Sequence, residues 1–421
     1  MKRSSYALFI LFAINAMNFF DRVIGGAVAE PIRKEWHLSD SALGALGTAF
    51  TLLYAFAGVP LGRLSDRMSR KKLLAGGVFL WSLLTGLSGV ARSFGQMFVM
   101  RLGVGVGEAI CAPAATSLIG DLYPASRRGR ALSIFMMGLP IGIALSFFLG
   151  ASVAQAHGWR AAFYVAGFPG LLCALGAMFI VEPPREGGHV SEAVPHPYRS
   201  LLSIPTFWWI IVSGALHNFN MYALGSFLAP LVIRYHGATL RQAGLISMLV
   251  YGLSGIPGLL AGGWLADSIA RKRKDGRLLL AAVCILISVP LMILALMQPP
   301  RAIAGFIAFA TLGCMVMYVY YSSVYAAIQD VVEPRLRGTA MALYFLAMYV
   351  LGASLGPLGT GMASDFFTKR AAAAAGAVAL EPFKGVGLHS AMYVVPALSA
   401  ILTLVLFAAS RTILRDARQS S

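Results

Sequence analysis

The loop "GRLSDRMSRKK", residues 62–72, lies between two apolar stretches, and an altered copy, "GWLADSIARKR", lies at residues 263–273. Gly, Leu, Asp, Arg and Lys recur in register between the two loops. A second pair, "DLYPASRRGRAL" at 121–132 and "DVVEPRLRGTAM" at 330–341, recurs in the same way. An orientation signal accounts for the basic residues of each loop taken alone, but it does not require the recurring Gly and Asp. The sequence therefore predicts a duplicated chain.

The composition around these loops is that of a membrane protein. Hydrophobic residues make up 58% of the 421 residues and charged residues only 12%, against about 25% charged in a soluble domain. Several stretches are long enough to cross a hydrocarbon core about 30 Å thick, and within lipid such stretches must be helical to satisfy their backbone. We predict an all-α integral membrane protein with 12 transmembrane helices, at residues 6–30, 41–64, 73–91, 95–119, 129–152, 159–181, 205–232, 242–265, 278–297, 302–327, 338–363 and 388–409.

The longest polar stretch divides these spans into two sets of six. It is "PPREGGHVSEAVPHPYRSLLS", residues 183–203, rich in Pro, Gly and charge. Duplicated halves around a midplane site are common among secondary transporters. We therefore predict two pseudo-symmetric six-helix bundles, an N-terminal one at 1–182 and a C-terminal one at 204–421, joined by a cytoplasmic linker at 183–203.

The positions of the Lys and Arg residues indicate how the chain is oriented in the membrane. The chain has 34 Lys and Arg, a net charge of +17, and its basic clusters fall at 62–72, 125–131 and 270–277, all on one side of the predicted membrane. The positive-inside rule then puts both termini in the cytoplasm. We expect a protein of the plasma membrane, the inner membrane of a bacterium, with membrane lipids rather than nucleic acid as its charged partner.

Neither the cysteines nor the N-terminus points to another class of protein. The first apolar stretch is too long and too charged for a cleavable signal peptide, so we expect it to remain as the first span. Four cysteines fall within spans, far apart in sequence, and support neither a disulfide framework nor a metal site. They are Cys111, Cys173, Cys284 and Cys314.

Three further stretches of the first half narrow the resemblance beyond the loops: "NFFDR" at 18–22, "RLGVGVGEAICAPAATSLIGDLYPASRRGRALSIF" at 101–135 and "GLPIGIALSFFLGA" at 138–151. The opening loop resembles the signature loop of the major facilitator superfamily, and these three stretches resemble its Spinster branch. Ser146 stands where that branch is expected to have Gly. The resemblance implies a twelve-span carrier, proton-coupled or facilitative, with lysolipids and sphingoid phosphates as the substrates of its animal members.

Four charged residues are predicted to lie deep within spans: Asp21, Arg22, Arg101 and Glu108. Each costs about 2.5–3.5 kcal/mol at the bilayer centre on insertion scales, so they should face the bundle interior and pair. Asp21 and Arg22 point about 100° apart on one helix, whereas Arg101 and Glu108, seven residues apart, share one face. We expect contacts across helices, Asp21 with Arg101 and Glu108 with Arg22.

These four residues predict a proton-coupling site. Desolvation disfavours an ionised carboxylate and a nearby cation favours it, so a helix movement that separates the two changes proton binding. Glu108 is the expected proton carrier and Asp21 the second candidate, with Arg22 and Arg101 as the competing cations. A purely adhesive role is the alternative, although buried ion pairs often add little net stability.

The resemblance assigns the duplicated inner loops to a cytoplasmic gate. Gly62 permits close helix approach, Asp66 caps or pairs across the halves, and the arginines pair with carboxylates when the inside is closed. Helix packing alone is the alternative for the glycines. The predicted gate residues are Gly62, Asp66, Arg67 and Arg70 in the first half and Asp267, Arg271 and Asp365 in the second.

Polar and aromatic residues within spans predict a substrate cavity. Amphipathic aromatics with a few hydrogen-bonding groups suit an amphiphilic substrate, although some tyrosines serve equally well as interface anchors, and a membrane histidine is more often simply packed. The predicted cavity residues are Asn15, Asn18, His217, Asn218, Tyr222, Tyr318 and Tyr321.

We predict a secondary active transporter, a proton-coupled alternating-access carrier of an amphiphilic or lipid-like substrate or drug. Protons are the coupling ion, no cofactor is expected, and the chain is expected to be a monomer. The alternative is a proton-coupled symporter for small organic anions such as sugar acids, since such carriers also have Asp-Arg in the first span. No nucleophile or metal-ligand pattern supports an enzyme, and the duplicated halves favour a carrier over a channel or a receptor.

Overall fold

The structure, a computed structural model, describes residues 3–183, 197–300 and 302–416. These residues form helices joined by short turns, with no strand among them. Up to residue 183 the α-helices are α1 (Arg3–Ala27), α2 (Ala29–Trp36), α3 (Asp40–Arg67), α4 (Arg70–Ser88), α5 (Phe94–Glu108), α6 (Cys111–Leu122), α7 (Ala125–Met136), α8 (Gly138–Leu145), α9 (Ala151–His157) and α10 (Trp159–Met178).

Ten further α-helices follow residue 196. Side chains cap several helices of the fold; before α13, for example, Thr239 and Gln242 form a capping box, which satisfies backbone N–H groups at a helix start. The ten are α11 (Pro197–Leu202), α12 (Pro205–His236), α13 (Leu240–Ser247), α14 (Gly255–Ala270), α15 (Gly276–Leu296), α16 (Ile303–Val331), α17 (Arg337–Ala347), α18 (Leu355–Ala374), α19 (Lys384–Met392) and α20 (Val394–Asp416).

Ten helical segments of the described ranges are long and apolar enough to cross a membrane. Two of the twelve predicted spans, the third and the seventh, are not among these ten segments. They correspond to α4 and α12, helices of 19 and 32 residues. Three cations at the start of α4, and the sequence "HNFN" within α12, lower the mean hydropathy of these two helices. The order of the helices otherwise follows the twelve predicted spans.

Contacts divide the chain into two compact units. The first contains the described residues up to 183 together with Gly225–Arg234 and Ala238–Gly252, and the second contains 197–224, Tyr235–Gly237 and the described residues from Leu253 onward. Residues 184–196 of the predicted linker lie outside the described residues. The division into bundles at 183–203 therefore stays a prediction.

Within the described ranges, three π-helical segments interrupt α-helices, at Ser146–Gly150, Met248–Leu253 and Met348–Ala353. They fall within the fifth, eighth and eleventh predicted spans, and π-bulges are frequent at functional sites. In the first segment the Ser146 hydroxyl donates to the carbonyl of Phe20, 2.8 Å away. This π-segment is thus tied to the stretch of α1 that carries the Asp-Arg pair.

Close backbone packing recurs in the two units. A Cβ added at Gly142, on α8, would meet the carbonyl of Ala16 on α1. A Cβ added at Gly352 would meet the carbonyl of Ala215 on α12. Small residues let membrane helices approach in this way. Because the first and fifth spans of one half and the first and fifth spans of the other pack alike, the packing supports the duplication predicted from the loops.

Two adjacent glycines of α4 provide a matched test of this packing. A Cβ at Gly77 would lie against Ile110 and 2.9 Å from the carbonyl oxygen of Gly107, whereas a Cβ at Gly76 meets nothing within 4 Å. We expect Gly77→Ala to destabilise the protein by about 1–3 kcal/mol, the usual effect of overpacking, and Gly76→Ala to cause no loss. Unfolding of the two variants in mixed micelles measures the difference, and equal stabilities would contradict the close approach.

Candidate functional site

The four predicted intramembrane charges lie together in the first unit. Asp21 and Arg22 are near the end of α1, Arg101 is in the middle of α5 and Glu108 is its last residue. Asp21 and Glu108 are 0% exposed, Arg101 4% and Arg22 9%. Burying a charge without a paired or hydrogen-bonded partner costs free energy, so the partners of these four side chains are described one by one below.

Arg22 and Glu108 form the ion pair that the sequence predicts. Nη2 of Arg22 lies 3.2 Å from Oε2 of Glu108 and donates over 3.2 Å to Oδ1 of Asn18. The guanidinium also lies over aromatic rings, 4.6 Å from the centroid of Tyr54 and 4.8 Å from that of Phe19. Such cation–π contacts add to the stabilisation of a desolvated cation.

Arg101 contacts α1 differently from the prediction. Its Nη1 and Nη2 each donate over 3.1 Å to the backbone carbonyl of Asp21, and Nη2 also donates over 3.3 Å to the carbonyl of Arg22. The Asp21 carboxylate instead accepts from the Thr85 hydroxyl of α4, at 3.4 Å. The guanidinium therefore anchors α1 to α5 through the backbone, by hydrogen bonds that do not depend on the protonation of Asp21.

The two arginines of the charge cluster are held by different kinds of contact. Arg101 is held by main-chain carbonyls, whereas Arg22 bonds to the Glu108 side chain and to Asn18. Desolvation disfavours an ionised carboxylate unless a cation stays beside it. Arg22 is thus the cation whose side chain lies beside the Glu108 carboxylate.

In the second unit, three of the predicted cavity residues belong to one aromatic cluster. The His217 ring stacks on Tyr320, with centroids 4.0 Å apart, and Tyr321 packs edge-on against it at 4.8 Å. The Tyr321 hydroxyl donates to Oδ1 of Asn218 over 3.1 Å, and Nδ2 of Asn218 donates to the carbonyl of Gly214 over 3.0 Å. The structure thus brings His217, Asn218 and Tyr321 together.

Two tyrosines that the sequence analysis did not select extend this aromatic cluster. The hydroxyl of Tyr320 lies 2.7 Å from the Ser213 hydroxyl and 3.1 Å from that of Tyr344. Both tyrosines are fully buried. Neither nitrogen of His217 has a hydrogen-bond partner within the described ranges. Spacing along a helix could not reveal Tyr344, because it lies on α17, whose contact with α12 and α16 depends on tertiary packing.

The other predicted cavity residues are spread over both units. Asn18 belongs to the charge cluster, whereas Asn15 donates over 2.8 Å to the carbonyl of Phe135 on α7. Tyr222 packs edge-on against Tyr349, with centroids 6.3 Å apart. The remaining residue, Tyr318, lies 6.1 Å from Tyr321 between ring centroids. The structure thus joins some of these residues to the two clusters and assigns others to helix packing.

At the cytoplasmic loops predicted from the sequence, Arg70 links three helix ends of the first unit. It is 3% exposed at the start of α4. Its Nε lies 3.0 Å from Oε1 of Glu182, its Nη1 donates over 2.9 Å to the Ser117 hydroxyl, and it is also paired with the Asp121 carboxylate. The carboxylate partners, Asp121 and Glu182, are site residues that the sequence analysis did not select.

Glu182 gives this network a defined pH dependence. Burial alone raises its pKa, but hydrogen bonds from Ser69 and Arg70 lower the pKa of Glu182 to about 2. A carboxyl group with a depressed folded-state pKa stabilises the fold above its unfolded pKa, about 4.3, and this stabilisation is lost as the pH falls toward the folded value.

We therefore expect Glu182→Gln to be less stable than the unmodified protein at about pH 5, with a flatter dependence of stability between about pH 5 and pH 2. Apparent melting temperatures across this range provide the measurement. Glu333→Gln, at an exposed position, is the control that should retain the original slope. An unchanged slope in Glu182→Gln would contradict the assignment.

The second unit repeats the arrangement with a different arginine from the one predicted. Arg277, at the start of α15, lies 2.5 Å from Oδ2 of Asp330 and 3.0 Å from Oδ1 of Asp267. Arg271, the residue in register with Arg70, is exposed just after α14. Asp330 opens the second recurring loop as Asp121 opens the first, and this recurrence is the signal that could have identified both.

The remaining predicted gate residues are less fully described. Gly62, Asp66 and Arg67 belong to the last turns of α3, and the structure describes only the backbone of these three residues. Asp365 is half-buried on α18. The role of these residues in a gate stays a prediction.

Comparison with known proteins decides the family. The Major Facilitator Superfamily model matches residues 8–357. The chain belongs to the Major Facilitator Superfamily. It is therefore a membrane-spanning transporter and not an enzyme, and the predicted all-α fold of two six-helix bundles is that of the superfamily.

Similar proteins of known or probable function show which members of the superfamily this chain resembles. It is 30% identical over 371 residues to an MFS-type efflux pump of Mycolicibacterium smegmatis, covering 87% of this chain and 86% of the relative. It is 26% identical over 382 residues to a probable L-galactonate transporter of Escherichia coli, covering 85% and 83%. The crystal structure of a bacterial homologue of the human lysosomal transporter Spinster matches with a TM-score of 0.89 and 27% identity, covering 99% of this chain and 98% of the other. The resemblance to the Spinster branch is confirmed.

Proposed function

We propose that this transporter is a proton-coupled secondary carrier that works by alternating access, with Glu108 as the proton carrier. The observation that carries the proposal is the buried pair of Arg22 and Glu108, at 3.2 Å, beside an Arg101 that is engaged by backbone carbonyls. Protonation neutralises Glu108 and leaves the charge of Arg22 uncompensated. Arg22 then provides a binding group for the anionic part of a substrate, and Asp21 is the second acid of the site.

The substrate class that we propose is an amphiphile, either a lipid-like molecule or a hydrophobic drug. The aromatic cluster of the second unit supports it, because the partly exposed Tyr321 offers an aromatic ring and a hydroxyl beside the buried rings of His217 and Tyr320. Apolar walls with a few well-placed polar groups are usual for sites that bind such molecules. The resemblance of the sequence to the Spinster branch, which implies lysolipids and sphingoid phosphates for the animal members, supports the same class.

A symporter for small organic anions such as sugar acids is the second candidate. It is favoured by the similarity to a probable L-galactonate transporter and by the two arginines of the charge cluster. A sugar acid needs several hydrogen-bonding partners around one carboxylate, whereas an amphiphile needs one polar end and an apolar wall. Competition between the two classes of molecule therefore distinguishes the candidates.

We further propose that the carrier acts as a monomer in the bacterial inner membrane, with both termini in the cytoplasm and protons as its coupling ion. The arginine networks at the inner ends of α4 and α15 would then form part of the cytoplasmic gate. This placement follows from the basic inner loops and from the contacts of Arg70 and Arg277.

Counterflow in proteoliposomes tests the function. Vesicles loaded with unlabelled lysophospholipid should accumulate a fluorescent lysophospholipid from outside, and an imposed pH gradient should change the extent of accumulation. L-galactonate is the matched small anion, run in the same vesicles. Accumulation of galactonate alone would replace the first candidate with the second, and accumulation of neither above protein-free vesicles would contradict both.

A further inference from the structure

Three consecutive backbone carbonyls of α1 accept hydrogen bonds from side chains of two other helical segments. The Ser146 hydroxyl, in the π-helical segment that follows α8, donates to the carbonyl of Phe20 over 2.8 Å. Arg101 of α5 donates over 3.1 Å to the carbonyl of Asp21 and over 3.3 Å to that of Arg22. Ser146 is 0% exposed and Arg101 4%. These contacts, called the α1 clamp below, hold the turn of α1 that carries Arg22.

The α1 clamp is not needed to satisfy the backbone of α1. The three carbonyls lie within the helix, where each accepts from the amide four residues further along. A carbonyl oxygen has two lone pairs and can accept a second hydrogen bond, so the side chains add to the helix without replacing part of it. Because hydrogen bonds depend steeply on distance and angle, the clamp fixes how α1 is rotated and shifted against its neighbours.

The π-helical segment keeps one face of its span against α1. A Cβ added at Gly142 would meet the carbonyl of Ala16, and a Cβ added at Gly150 would meet the side chain of Ile24. Residues eight apart on a regular α-helix diverge by about 80°, at about 100° per residue. The π-turn holds one additional residue, which brings the two glycines back to within about 20° of one face. Since Ser146 lies midway between them, the same turn directs its hydroxyl toward α1.

The second unit has the same packing without the hydroxyl. There a Cβ added at Gly352 would meet the carbonyl of Ala215, as at the corresponding contact of the first unit. Four residues further, where the first unit has Ser146, the second has Gly356, and a Cβ added there would meet the carbonyl of Phe219. Glycine therefore suffices for the close approach of the two helices. The hydroxyl serves a need that the second unit does not have.

The two units differ in the residues that the first helix of each carries beside this contact. In the first unit an ion pair forms there, between Arg22 and Glu108, with the paired atoms 3.2 Å apart. In the second unit the corresponding residues of α12 are Asn220 and Met221, which carry no charge. A hydrogen bond between an arginine and a carboxylate requires a specific geometry. The Ser146 hydroxyl is thus present in the unit whose first helix holds an arginine in one orientation.

We propose that Ser146 is a positioning residue of the proton-coupling site. By holding the carbonyl of Phe20, it fixes the rotation of α1 that places Arg22 beside Glu108, while Arg101 holds the two carbonyls that follow. Without the hydroxyl, α1 is held at this level by packing and by Arg101, and Arg22 is less often aligned with the carboxylate. The inference rests on the proton coupling of the proposed function, and it adds a residue that acts through the backbone of α1.

Amide hydrogen exchange of the full chain in mixed micelles measures the α1 clamp directly. We expect Ser146→Ala, which removes only the hydroxyl, to accelerate exchange in the peptide that contains residues 20–27 by about 2- to 10-fold, the contribution of one net hydrogen bond. Ser88→Ala is the matched control, since this buried serine donates over 2.9 Å to the carbonyl of Leu84 in its own helix. This control should leave exchange in α1 at the parent rate.

A transport ratio separates positioning from packing. In proteoliposomes, accumulation under a pH gradient is divided by counterflow at equal pH, with fluorescent lysophospholipid, or with L-galactonate if the parent protein accumulates that molecule instead. We expect Ser146→Ala to lower this ratio by about 2- to 10-fold, because it loses the alignment of Arg22 with Glu108 and keeps substrate exchange. Ser146→Gly, which introduces the residue of the second unit at this position, should lower the ratio in the same direction. Ser88→Ala should keep the parent ratio.

Exchange in α1 at the parent rate in Ser146→Ala would show that the hydroxyl does not hold α1, and it would overturn the proposal. Faster exchange with an unchanged transport ratio would overturn it as well and assign Ser146 to helix packing. A parent protein that does not respond to the pH gradient would contradict the proposed function and with it the positioning role. Failure of this inference alone therefore shows only in the variants.

Discussion

Glu108→Gln should abolish pH-driven transport while leaving substrate exchange at equal pH. Glutamine has nearly the shape of glutamate and can still accept a hydrogen bond from Arg22, whose Nη2 lies 3.2 Å from the native carboxylate. It cannot exchange a proton, however, so the cycle loses its coupling ion. Accumulation of fluorescent lysophospholipid under a pH gradient should fall to the level reached without a gradient, and counterflow should continue.

The control for this variant is Glu35→Gln, which removes an exposed carboxylate of the same unit. It should retain the response to the pH gradient. If Glu108→Gln accumulated substrate under a pH gradient as the parent does, Glu108 would not be the proton carrier. Asp21→Asn would then become the variant to test, because Asp21 is the other buried acid of the charge cluster.

Arg101→Gln should destabilise the protein by about 3–5 kcal/mol, the usual effect of removing one partner from a buried set of charges. The substitution removes hydrogen bonds to the carbonyls of Asp21 and Arg22 and leaves the charge cluster with an excess negative charge. Reversible unfolding in mixed micelles provides the measurement. Arg92→Gln, at an exposed position, should change stability by no more than about 0.5 kcal/mol.

A second substitution separates the two effects of Arg101. Asp21→Asn in the Arg101→Gln background removes the excess negative charge without restoring the hydrogen bonds to α1. We expect it to recover about 0.5–3 kcal/mol, the range of coupling between contacting residues. Strictly additive losses in the double variant would show that the charge balance does not matter and that Arg101 acts only through its hydrogen bonds.

The pairing of Arg22 with Glu108 could be predicted from the sequence because it follows from local geometry. Adjacent residues of a helix point about 100° apart, and the depth of each residue within its span follows from counting residues. These two constraints exclude a pair between Asp21 and Arg22 and leave α5 as the source of partners. The signature loop predicted the family through its resemblance, and the long apolar stretches predicted the helical class, because lipid permits few other folds.

The contacts of Arg101 could not be predicted in the same way. Every residue of α1 has a backbone carbonyl, so the sequence does not mark those of Asp21 and Arg22 as acceptors. The contact between Arg234 and Glu30 could not be predicted for a related reason, since Arg234 lies some 200 residues beyond Glu30 in sequence.

In the second unit, Arg271 is exposed just after α14 and Arg277 lies beside Asp267. The register between the recurring loops could not show which of these two arginines pairs with Asp267.

The sequence by itself determined that this protein is a duplicated bundle of membrane helices with charges in its first half. Hydrophobicity and helical periodicity are local properties, and they need no knowledge of neighbouring helices. The tertiary structure decided which atom pairs with each charge. That choice depends on the rotation and depth of helices distant in sequence, and close contacts such as those at Gly26 and Gly142 set both.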